Sequence, residues 1–467
     1  MTFSSALSNA LSGMNAATTA LQVRGNNIAN ATTPGYARRD VSLSARAPSG
    51  GVVVDGIVRA EAGRLMASAL SAGAAGADAN ARAEAAASLS GLLGAPGDDT
   101  GLHAAMAGFE RALADLSGTP ESAAFQARLL SATDGLAATF NRLGDEAQAM
   151  RVRADGEIEA GVRTVNEALS ALQTLNAQVA RDGSLSALPE ERQAHVDAIA
   201  EQIDVRVSQD DDGRVRIVTA GGVPLLGEEA RPLSFVPTGA IAANQTLANG
   251  ALSGLTAGGI DLSPGAVQGV TGGKIAGAFA VRDGVAPRFA ERLDALAEDV
   301  ADRLAGADAD AGGQGLLIVT GGPGAASSLS VNPAVDPNMG GALWRLRDGL
   351  AATVPGPAAG EGVLPALAQA LRTARPVPGA TGGPAAVGAS GAIERLASSL
   401  GTERLEADTR AAAANARAQS ARDELLIATG VNTDAEMQAL LTIEQAYAAN
   451  ARVVQVVSDM MQRLLQL

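Results

Sequence analysis

Apolar positions recur at alternating spacings of four and three near both ends of the chain. The first run predicts a helix from Phe3 to Asn30, with its stripe at Leu7, Leu11, Met14, Thr18, Leu21, Gly25 and Ile28. The second predicts a helix from Thr433 to Leu467, with its stripe at Leu440, Tyr447, Ala451, Val454, Val457, Met461 and Leu464. This alternation is typical of a coiled-coil seam, so the two ends are expected to associate.

The polar face of the first predicted helix carries no charge before Arg24. It consists of small uncharged side chains: Ser4, Ser5, Ser8, Asn9, Ser12, Asn15, Thr19 and Gln22. Burying a charge costs roughly several kcal/mol, so an uncharged polar face suits a helix that is covered on all sides. Packing into an ordinary helical core remains the alternative, since short apolar heptads are common.

The first part of the interior predicts mostly helices. Asp55-Gly56 between short Val and Ile runs indicates a hairpin turn, and a helix is expected from Arg59 to Leu93. A shorter helix, from Leu102 to Leu116, follows. Thr119 with Pro120 after it predicts the start of a long rod helix that runs to about Ala180.

The second part alternates between strand and helix patterns. Residues 203–227 have period two and predict a small meander, and 230–270 predict loop with irregular strand. A helix from Ile275 to Leu304 with a break near Pro287 is expected, then a Gly- and Pro-rich stretch with one strand at Leu316 to Thr320. A final long helix should cover about Ala392 to Thr429.

These elements predict a mainly α fold with inserted β-rich modules. Its terminal helices form an inner coiled coil, beside a long helical rod domain and a small outer β or irregular domain. The expected domains are residues 1–36 with 430–467 (terminal helices), 37–203 with 270–305 and 391–429 (rod), 204–269 (β-rich module) and 306–390 (outer insertion).

Composition excludes several classes of function. The 467 residues carry a net charge of -15, which argues against nucleic acid or anionic membrane as a partner. Aromatic residues make up only 2% of the chain, which favours closely packed Ala-rich helices. Cysteine is absent, so disulfides and thiolate metal sites are excluded. No membrane span and no cleavable signal peptide are predicted.

The sequence carries no pattern typical of a catalytic, cofactor or metal site, and the chain is therefore not expected to be an enzyme. The histidines, His103 and His195, have no further ligand or triad partner in the pattern. Gly273-Lys274 does not match a phosphate loop, because Ile275 stands where a Ser or Thr is needed. The Asp210-Asp211-Asp212 run lacks the closing Glu of a calcium loop and is interpreted as a hairpin tip.

An Asn-rich helix stop follows the first predicted helix. It runs Asn26-Asn27-Ile28-Ala29-Asn30-Ala31-Thr32-Thr33-Pro34-Gly35-Tyr36 and turns at Pro34-Gly35. This segment resembles the N-terminal signature of bacterial flagellar axial proteins, the family of rod, hook and hook-associated proteins.

Further blocks, in order along most of the chain, narrow the resemblance to the hook-associated members that join hook to filament. They are the region from Leu116 through Pro120, Phe140-Asn141 and Leu175-Asn176; Asp204 to Val207 with Asp212-Gly213 and Thr219 to Gly222; Gly272 to Gly277 with Arg282-Asp283 and Leu293 to Ala297; and Gly430 to Met437 with Glu444 to Tyr447 and Asn450 to Val453. Residues 306–390 carry little of it.

The resemblance implies a structural component that forms the first junction ring between hook and filament and permits filament assembly. It implies as partners further copies of the chain, the hook protein, the second hook-associated junction protein, a cytosolic export chaperone and the flagellar export apparatus. It also implies an extracellular location in the flagellum, reached without a cleavable signal peptide. Two alternatives stay open: another axial protein of hook or rod, or a secreted enzyme or effector with axial-type termini and its activity in 306–390.

The expected assembly interface combines the two stripes with the signature. Its residues are Leu7, Leu11, Met14, Leu21, Ile28, Asn27, Asn30, Pro34, Gly35, Tyr36, Met437, Leu440, Leu441, Tyr447, Val454, Val457, Met461 and Leu464.

Overall fold

The structure is a computed structural model that describes residues 3–33, 35–46, 50–94, 100–182, 189–210, 212–308, 312–358, 360–376 and 386–466. The helices are α1 Phe3–Ala29, α2 Gly63–Leu92, α3 Gly101–Gly118, α4 Ala123–Asp182, α5 Pro189–Gln202, α6 Lys274–Ala280, α7 Ala286–Ala307, α8 Ala325–Ser328, α9 Arg345–Asp348, α10 Leu364–Arg372, α11 Ala389–Thr429 and α12 Thr433–Leu465. The strands are β1 Arg39–Ala45, β2 Val52–Arg59, β3 Val205–Gln209, β4 Val215–Thr219, β5 Pro224–Leu226, β6 Leu233–Ser234, β7 Thr256–Ala257, β8 Ile260–Asp261, β9 Leu317–Ile318 and β10 Ser330–Val331. The prediction of a mainly α fold with inserted β-rich modules is confirmed.

The long helix α4 is the backbone of the fold. Its 60 residues span about 90 Å at 1.5 Å per residue, and they continue through Gly144 and Gly156. The predicted start at Thr119 with Pro120 is wrong, because Thr119 ends α3. Helix α4 instead begins after Ser122, whose carbonyl accepts a hydrogen bond from the backbone N–H of Gln126 at 3.0 Å.

Two hydrophobic cores follow one another along α4. The first packs the N-terminal half of α4 against α2, α3, α7 and α11, with Phe109, Phe140 and Phe289 at its centre. The second packs the C-terminal half against α5, α6 and the small sheets. The helix therefore works as a rod with one core on each half.

Residues from the stretch 306–390 enter the first core. Leu317, Leu346 and Leu364 are buried there. Arg303, which has no exposed surface, holds this stretch in place: its guanidinium pairs with Asp299 at 2.7 Å and donates to the backbone carbonyls of Ala370, in the last turn of α10, and of Val387, beyond α10. The buried charge is thus fully engaged in hydrogen bonds.

The predicted meander at 203–227 is confirmed as the antiparallel sheet β3-β4-β5. Residues 230–270 are mostly loop, as predicted, with a second small sheet, β6-β7-β8, of three two-residue strands. Two asparagines on α4 hold these sheets in place. The side-chain amide of each both donates to and accepts from the backbone of one sheet residue. Asn176 exchanges two hydrogen bonds of 2.9 Å with Val215, and Asn166 does the same with Leu233 at 2.9 and 2.7 Å.

The predicted hairpin is present, but the position predicted for its turn, Asp55-Gly56, is wrong. Strand β2 runs through both residues and pairs with β1, and the chain reverses between Arg46 and Gly51. The register shifts after Ser42, which faces Gly56, so Asp55 is an extra residue of β2 at a β-bulge. A Gly within a strand pattern marks a bulge as readily as a turn, and the sequence does not separate the two.

The predicted break near Pro287 is a π-helical turn over Val281–Val285 that joins α6 to α7. It turns Arg282 fully inward, where Nη1 pairs with Asp155 of α4 at 2.6 Å. Arg151 donates from Nε to the carbonyl of Arg282 at 3.0 Å. The irregular turn is therefore fixed to the rod by buried charge-assisted hydrogen bonds.

Helices α2 and α11 pack antiparallel to each other, and small side chains are buried on both. Ala74 and Ala83 of α2 and Ala411 and Ala418 of α11 are buried. Helix α11 brings the chain back along the rod, and the last residues of the chain then form α12.

Candidate assembly interface

The first and last helices pair with each other in the folded subunit. Gly13 of α1 lies against Asn450 of α12, and Arg24 pairs with Glu436, so the helices are antiparallel. A Cβ atom at Gly13 would lie 2.7 Å from Asn450 Nδ2, so the glycine permits the close approach of α12. The two ends, which are expected to associate, are thus in contact within a single subunit in this structure.

The predicted interface residues divide into two groups by exposure. Asn27 and Val457 are buried, and a half-buried group lines the seam: Leu7, Met14, Leu21, Ile28, Asn30, Tyr36, Leu440 and Val454. The outward group consists of Leu11, Gly35, Met437, Leu441, Tyr447 and Met461. Pro34 and the side chain of Leu464 lie outside the described residues.

Besides Asn27, the buried residues of α1 lie outside the predicted interface. Ala10, Ala16, Ala17 and Val23 are at most 8% exposed. They lie beside the predicted apolar positions, because α12 approaches the side of α1 that carries the smallest residues. The spacing of Ala10, Gly13 and Ala17 is the signal in the sequence for this close approach, since small residues at helical spacing let another helix pack closely.

Helix α12 carries an outward apolar face that no described residue of the subunit covers. Met437 and Leu441 are 53% and 59% exposed, and Val456 is 55% exposed further along the helix. Ile427, near the end of α11, is 84% exposed. A subunit that stayed alone in water would rarely keep this much apolar side-chain surface on adjoining elements.

Asn27 is the hub of a polar network that joins the signature to both helices. Its side chain has no exposed surface. Asn27 Nδ2 donates to the carbonyl of Arg39 at 2.8 Å and to Glu436 at 3.2 Å. Asn27 Oδ1 accepts from the hydroxyl of Tyr36 at 2.9 Å and from the backbone N–H of Arg39 at 3.0 Å. Every hydrogen-bonding position that this buried amide offers in the network is used.

Arg24 supplies the charge that balances Glu436. Glu436 is 2% exposed, and Arg24 Nη1 lies 3.0 and 3.1 Å from its two carboxylate oxygens. Arg24 Nη2 also pairs with Asp40 of β1. One guanidinium therefore ties α1, β1 and α12 together. The only charge of the first helix is placed at this junction.

Tyr36 and Arg39 extend the network towards α5. The Arg39 guanidinium lies 5.5 Å from the centre of the Tyr36 ring, and Arg39 Nη2 is 2.9 Å from both carboxylate oxygens of Glu190. Burial raises the pKa of the Tyr36 hydroxyl, which keeps it a donor to Asn27. The signature segment is thus held against α1, α5 and α12 at once.

The start of α12 differs from the sequence pattern. Thr433 with Glu436 resembles a capping box, but Asn432 is the N-cap: its Oδ1 accepts from the amides of Asp434 and Ala435, each at 3.1 Å. Glu436 turns inward to Arg24 instead of back to the helix start. The buried ion pair replaces the second half of the capping box.

Among the described residues, no group of three or more His, Asp or Glu side chains could hold a metal ion. Within the same part of the chain, no helix has the length and apolar content needed to cross a membrane. The Asp210 carboxylate accepts from the amides of Asp212 and Arg214 at the tip of the β3-β4 hairpin, as the interpretation of that acidic run expected.

Three family models match successive parts of the chain. Residues 86–314 match the flagellar hook-associated protein FlgK helical domain. Residues 422–467 match the C-terminal model of the flagellar basal body rod FlgEFG proteins, and residues 7–36 match the flagella basal body rod protein model. The two terminal matches coincide with the paired helices α1 and α12.

Curated relatives give the same result. Flagellar hook-associated protein 1 of Bacillus subtilis (strain 168) is 25% identical over 284 residues, which cover 54% of this chain and 55% of that protein. Flagellar hook-associated protein 1 of Escherichia coli (strain K12) is 27% identical over 261 residues, covering 52% and 47%. The chain spans about half the length of these relatives. A solved structure, the flagellar hook junction protein FlgK from Burkholderia pseudomallei, aligns over 54% of this chain and 47% of that chain with 22% identity and a TM-score of 0.45.

The paired terminal helices with their rod-type matches indicate the class that the chain resembles, the structural flagellar axial proteins. Within that class, the helical-domain match and both curated relatives show that the chain is similar to the hook-associated FlgK proteins. The resemblance inferred from the sequence is thereby confirmed. Both relatives are flagellar hook-associated proteins, which is consistent with a non-enzymatic role.

Proposed function

We propose that this chain forms the first junction ring between the flagellar hook and filament and permits filament assembly. The observation that carries the proposal is the outward apolar face of α12, on a helix whose other side is fixed to α1. A subunit built in this way presents a defined surface to further subunits. The helical-domain match favours this role over that of a hook or rod protein, because the terminal matches alone would fit any axial protein.

Burial of the exposed apolar side chains would favour assembly. Fully burying a Leu or Met side chain stabilises a complex by about 1.5–3 kcal/mol before the costs of association. Met437, Leu441 and Val456 are each more than half exposed and would contribute most of that amount in a ring. The first helix adds Leu11, 47% exposed, with its uncharged polar face.

The proposal assigns each part of the chain a role. Residues 1–36 with 430–467 form the inner tube domain, and 37–203 with 270–305 and 391–429 form the rod. Residues 204–269 form the β-rich module and residues 306–390 the outer insertion, and both pack against the rod through the two cores. The partners are further copies of the chain, the hook protein and the second hook-associated junction protein. The location is extracellular, and the chain leaves the cell through the flagellar export apparatus.

A cytosolic export chaperone is part of the same proposal. Before assembly the apolar face of α12 is exposed to water and offers a helix that can lie in a hydrophobic groove. We expect the chaperone to bind within residues 433–467. A pull-down with a chain truncated at Glu436 tests this expectation: chaperone binding should be lost, and unchanged binding would contradict it.

The main experiment is a deletion strain complemented with variants. Cells without the chain should carry hooks that lack filaments and should release filament protein into the medium. Leu441→Asp should be exported as a folded subunit yet fail to restore filaments, because it places a carboxylate in a buried interface. Thr442→Asp is the matched control at the next exposed position and should restore swimming. Normal filaments on the deletion strain would refute the proposal.

A further inference from the structure

Two arginines beside the signature form a cluster whose charge is not balanced within the described chain. Arg59 of β2 lies directly across from Arg39 of β1, so both side chains leave the same face of the hairpin. Arg39 is neutralised by Glu190. Arg192 of α5 lies near enough to Arg59 for the two charges to interact, and neither residue forms an ion pair among the described residues.

The contacts of the two guanidinium groups are few. Arg192 is 7% exposed and donates from Nη1 to the carbonyl of Gly213 at 2.8 Å. Arg59 donates from Nη2 to the carbonyl of Gly35 at 3.2 Å. The Nε–H groups of both residues are buried and have no hydrogen-bond partner among the described residues. Burial lowers the pKa of Arg192, and the nearby charge of Arg59 lowers it further.

A buried, unpaired positive charge costs the folded subunit energy that a partner anion would recover. Each copy of the chain carries a net charge of -15, so carboxylates outnumber basic side chains on a second copy. Next to Arg59 the same hairpin face continues to Ile57, 47% exposed. The site therefore suits a carboxylate that is flanked by apolar side chains.

Such a carboxylate occurs on α12. Glu444 is exposed, and it follows Met437 and Leu441 at positions i, i+4 and i+7, which places all three on one side of the helix. Among the described residues, Glu444 takes part in no ion pair. It thus combines the charge and the apolar neighbours that the arginine cluster and Ile57 would complement.

We propose that Arg59 and Arg192 bind the carboxylate of Glu444 from a second copy of the chain, with Leu441 of that copy packed against Ile57. This inference rests on the proposed ring assembly and names a contact within it. It gives the charged part of the subunit interface a position on the hairpin, next to the signature segment.

Cysteine crosslinking tests the contact directly, because the chain contains no cysteine of its own. The chain carrying both Arg59→Cys and Glu444→Cys should give disulfide-linked multimers in intact flagella after mild oxidation. The same chain with Arg64→Cys in place of Arg59→Cys is the control, since Arg64 is exposed and lies nearby on α2. Crosslinking of the 64–444 pair as strongly as the 59–444 pair, or no 59–444 product in flagella that contain the chain, would overturn the proposal.

Charge variants distinguish this contact from a purely internal role. Arg59→Gln should lower occupancy at the hook end about tenfold while the melting temperature of the purified monomer stays the same or rises, because repulsion with Arg192 is relieved. Arg59→Lys, which keeps the charge, should recover part of the occupancy. A monomer that melts lower with occupancy falling in parallel would show that the cluster only supports the fold. If the unaltered chain is absent from flagella, the junction proposal itself fails; normal occupancy of Arg59→Gln with normal junctions refutes only this contact.

Discussion

Arg24 and Glu436 stand 412 positions apart and meet through one guanidinium nitrogen, Nη1, that lies 3.0 and 3.1 Å from the two carboxylate oxygens. This pair closes the chain on itself at the point where both terminal helices leave the rod. Since Glu436 is 2% exposed, the pair is desolvated on the α12 side and depends on its geometry. The relationship between the two ends is therefore specified by charge as well as by apolar packing.

Arg24→Gln should loosen α12 from α1 by about 3 kcal/mol, because a buried carboxylate loses its counter-charge. Hydrogen exchange of the α12 amides near Glu436 measures this loss as a rise of about a hundredfold in exchange rate. Arg404→Gln is the matched control, since Arg404 pairs with Asp408 on the surface with both side chains about half exposed. That exposed pair should contribute less than about 0.5 kcal/mol. Equal effects of the two substitutions would contradict the role assigned to the buried pair.

Asn27→Ala should weaken the junction by about 2 kcal/mol, since it leaves the hydroxyl of Tyr36 and the backbone N–H of Arg39 without their buried acceptor. The adjacent Asn26→Ala provides the control, because the Asn26 side chain is exposed. Limited proteolysis around residues 30–38 is the measurement: cleavage should become faster in the Asn27 variant alone. Similar cleavage in both variants would mean that Asn27 does not hold the segment.

Much of the fold could be predicted from periodicity. The terminal helices, the rod helix and the meander came from spacings of 3.6 and 2, which report the face that each element buries. The start of α4 and the turn of the first hairpin were missed for a local reason. Thr119 followed by Pro120 is as compatible with the end of one helix as with the start of the next. Gly56 likewise suits a β-bulge as well as a turn.

The assembly site could be predicted only in outline. The stripes located the two helices, but the network around Asn27 depends on residues from four separate elements, and no local pattern shows that Glu190 or Glu436 turns towards it. The same holds for the arginines inside the rod. Arg282 looks like a surface residue in the sequence, and it is buried because a π-helical turn rotates it inward.

The pH dependence of stability should show a contribution from Asp294, which lies on α7. Burial raises the pKa of this carboxyl, although the amides of Ala326 and Gly324 donate to it, and the charges of Glu298 and Glu291 raise it further. The folded state therefore binds the proton more tightly than the unfolded state. Its contribution to stability falls as the pH rises from the unfolded value of about 3.9 to the folded pKa, and is constant above it.

Asp294→Asn removes this dependence. The stability of the variant minus that of the unaltered chain should increase with pH over the window just above 4 and then level off. Urea unfolding at a series of pH values measures the difference. Asp302→Asn, at an exposed position of the same helix, is the control. A difference that decreases with rising pH would show that the ionised form of Asp294 is the one the fold favours.

The last prediction concerns how firmly the terminal helices are held before assembly. The end of the α1–α12 pair near Arg24 and Glu436 is fixed by the buried network, whereas the other end has Ser12 as a contact to the hairpin, through the amide of Val52 at 3.1 Å. Isolated helices of about 30 residues are marginal in water, and ordering each residue costs about 1–2 kcal/mol of backbone entropy. In the purified monomer, amides of residues 4–12 and 455–465 should therefore exchange within seconds, those of residues 20–29 and 434–443 more slowly, and those in the middle of α4 slowest. Assembly should extend protection to the fast-exchanging ends, because neighbouring subunits supply the contacts that the outward apolar face lacks. Uniform strong protection of both helices in a verified monomer would show that the pair is a stable domain by itself, and folding of the ends would then be independent of ring formation.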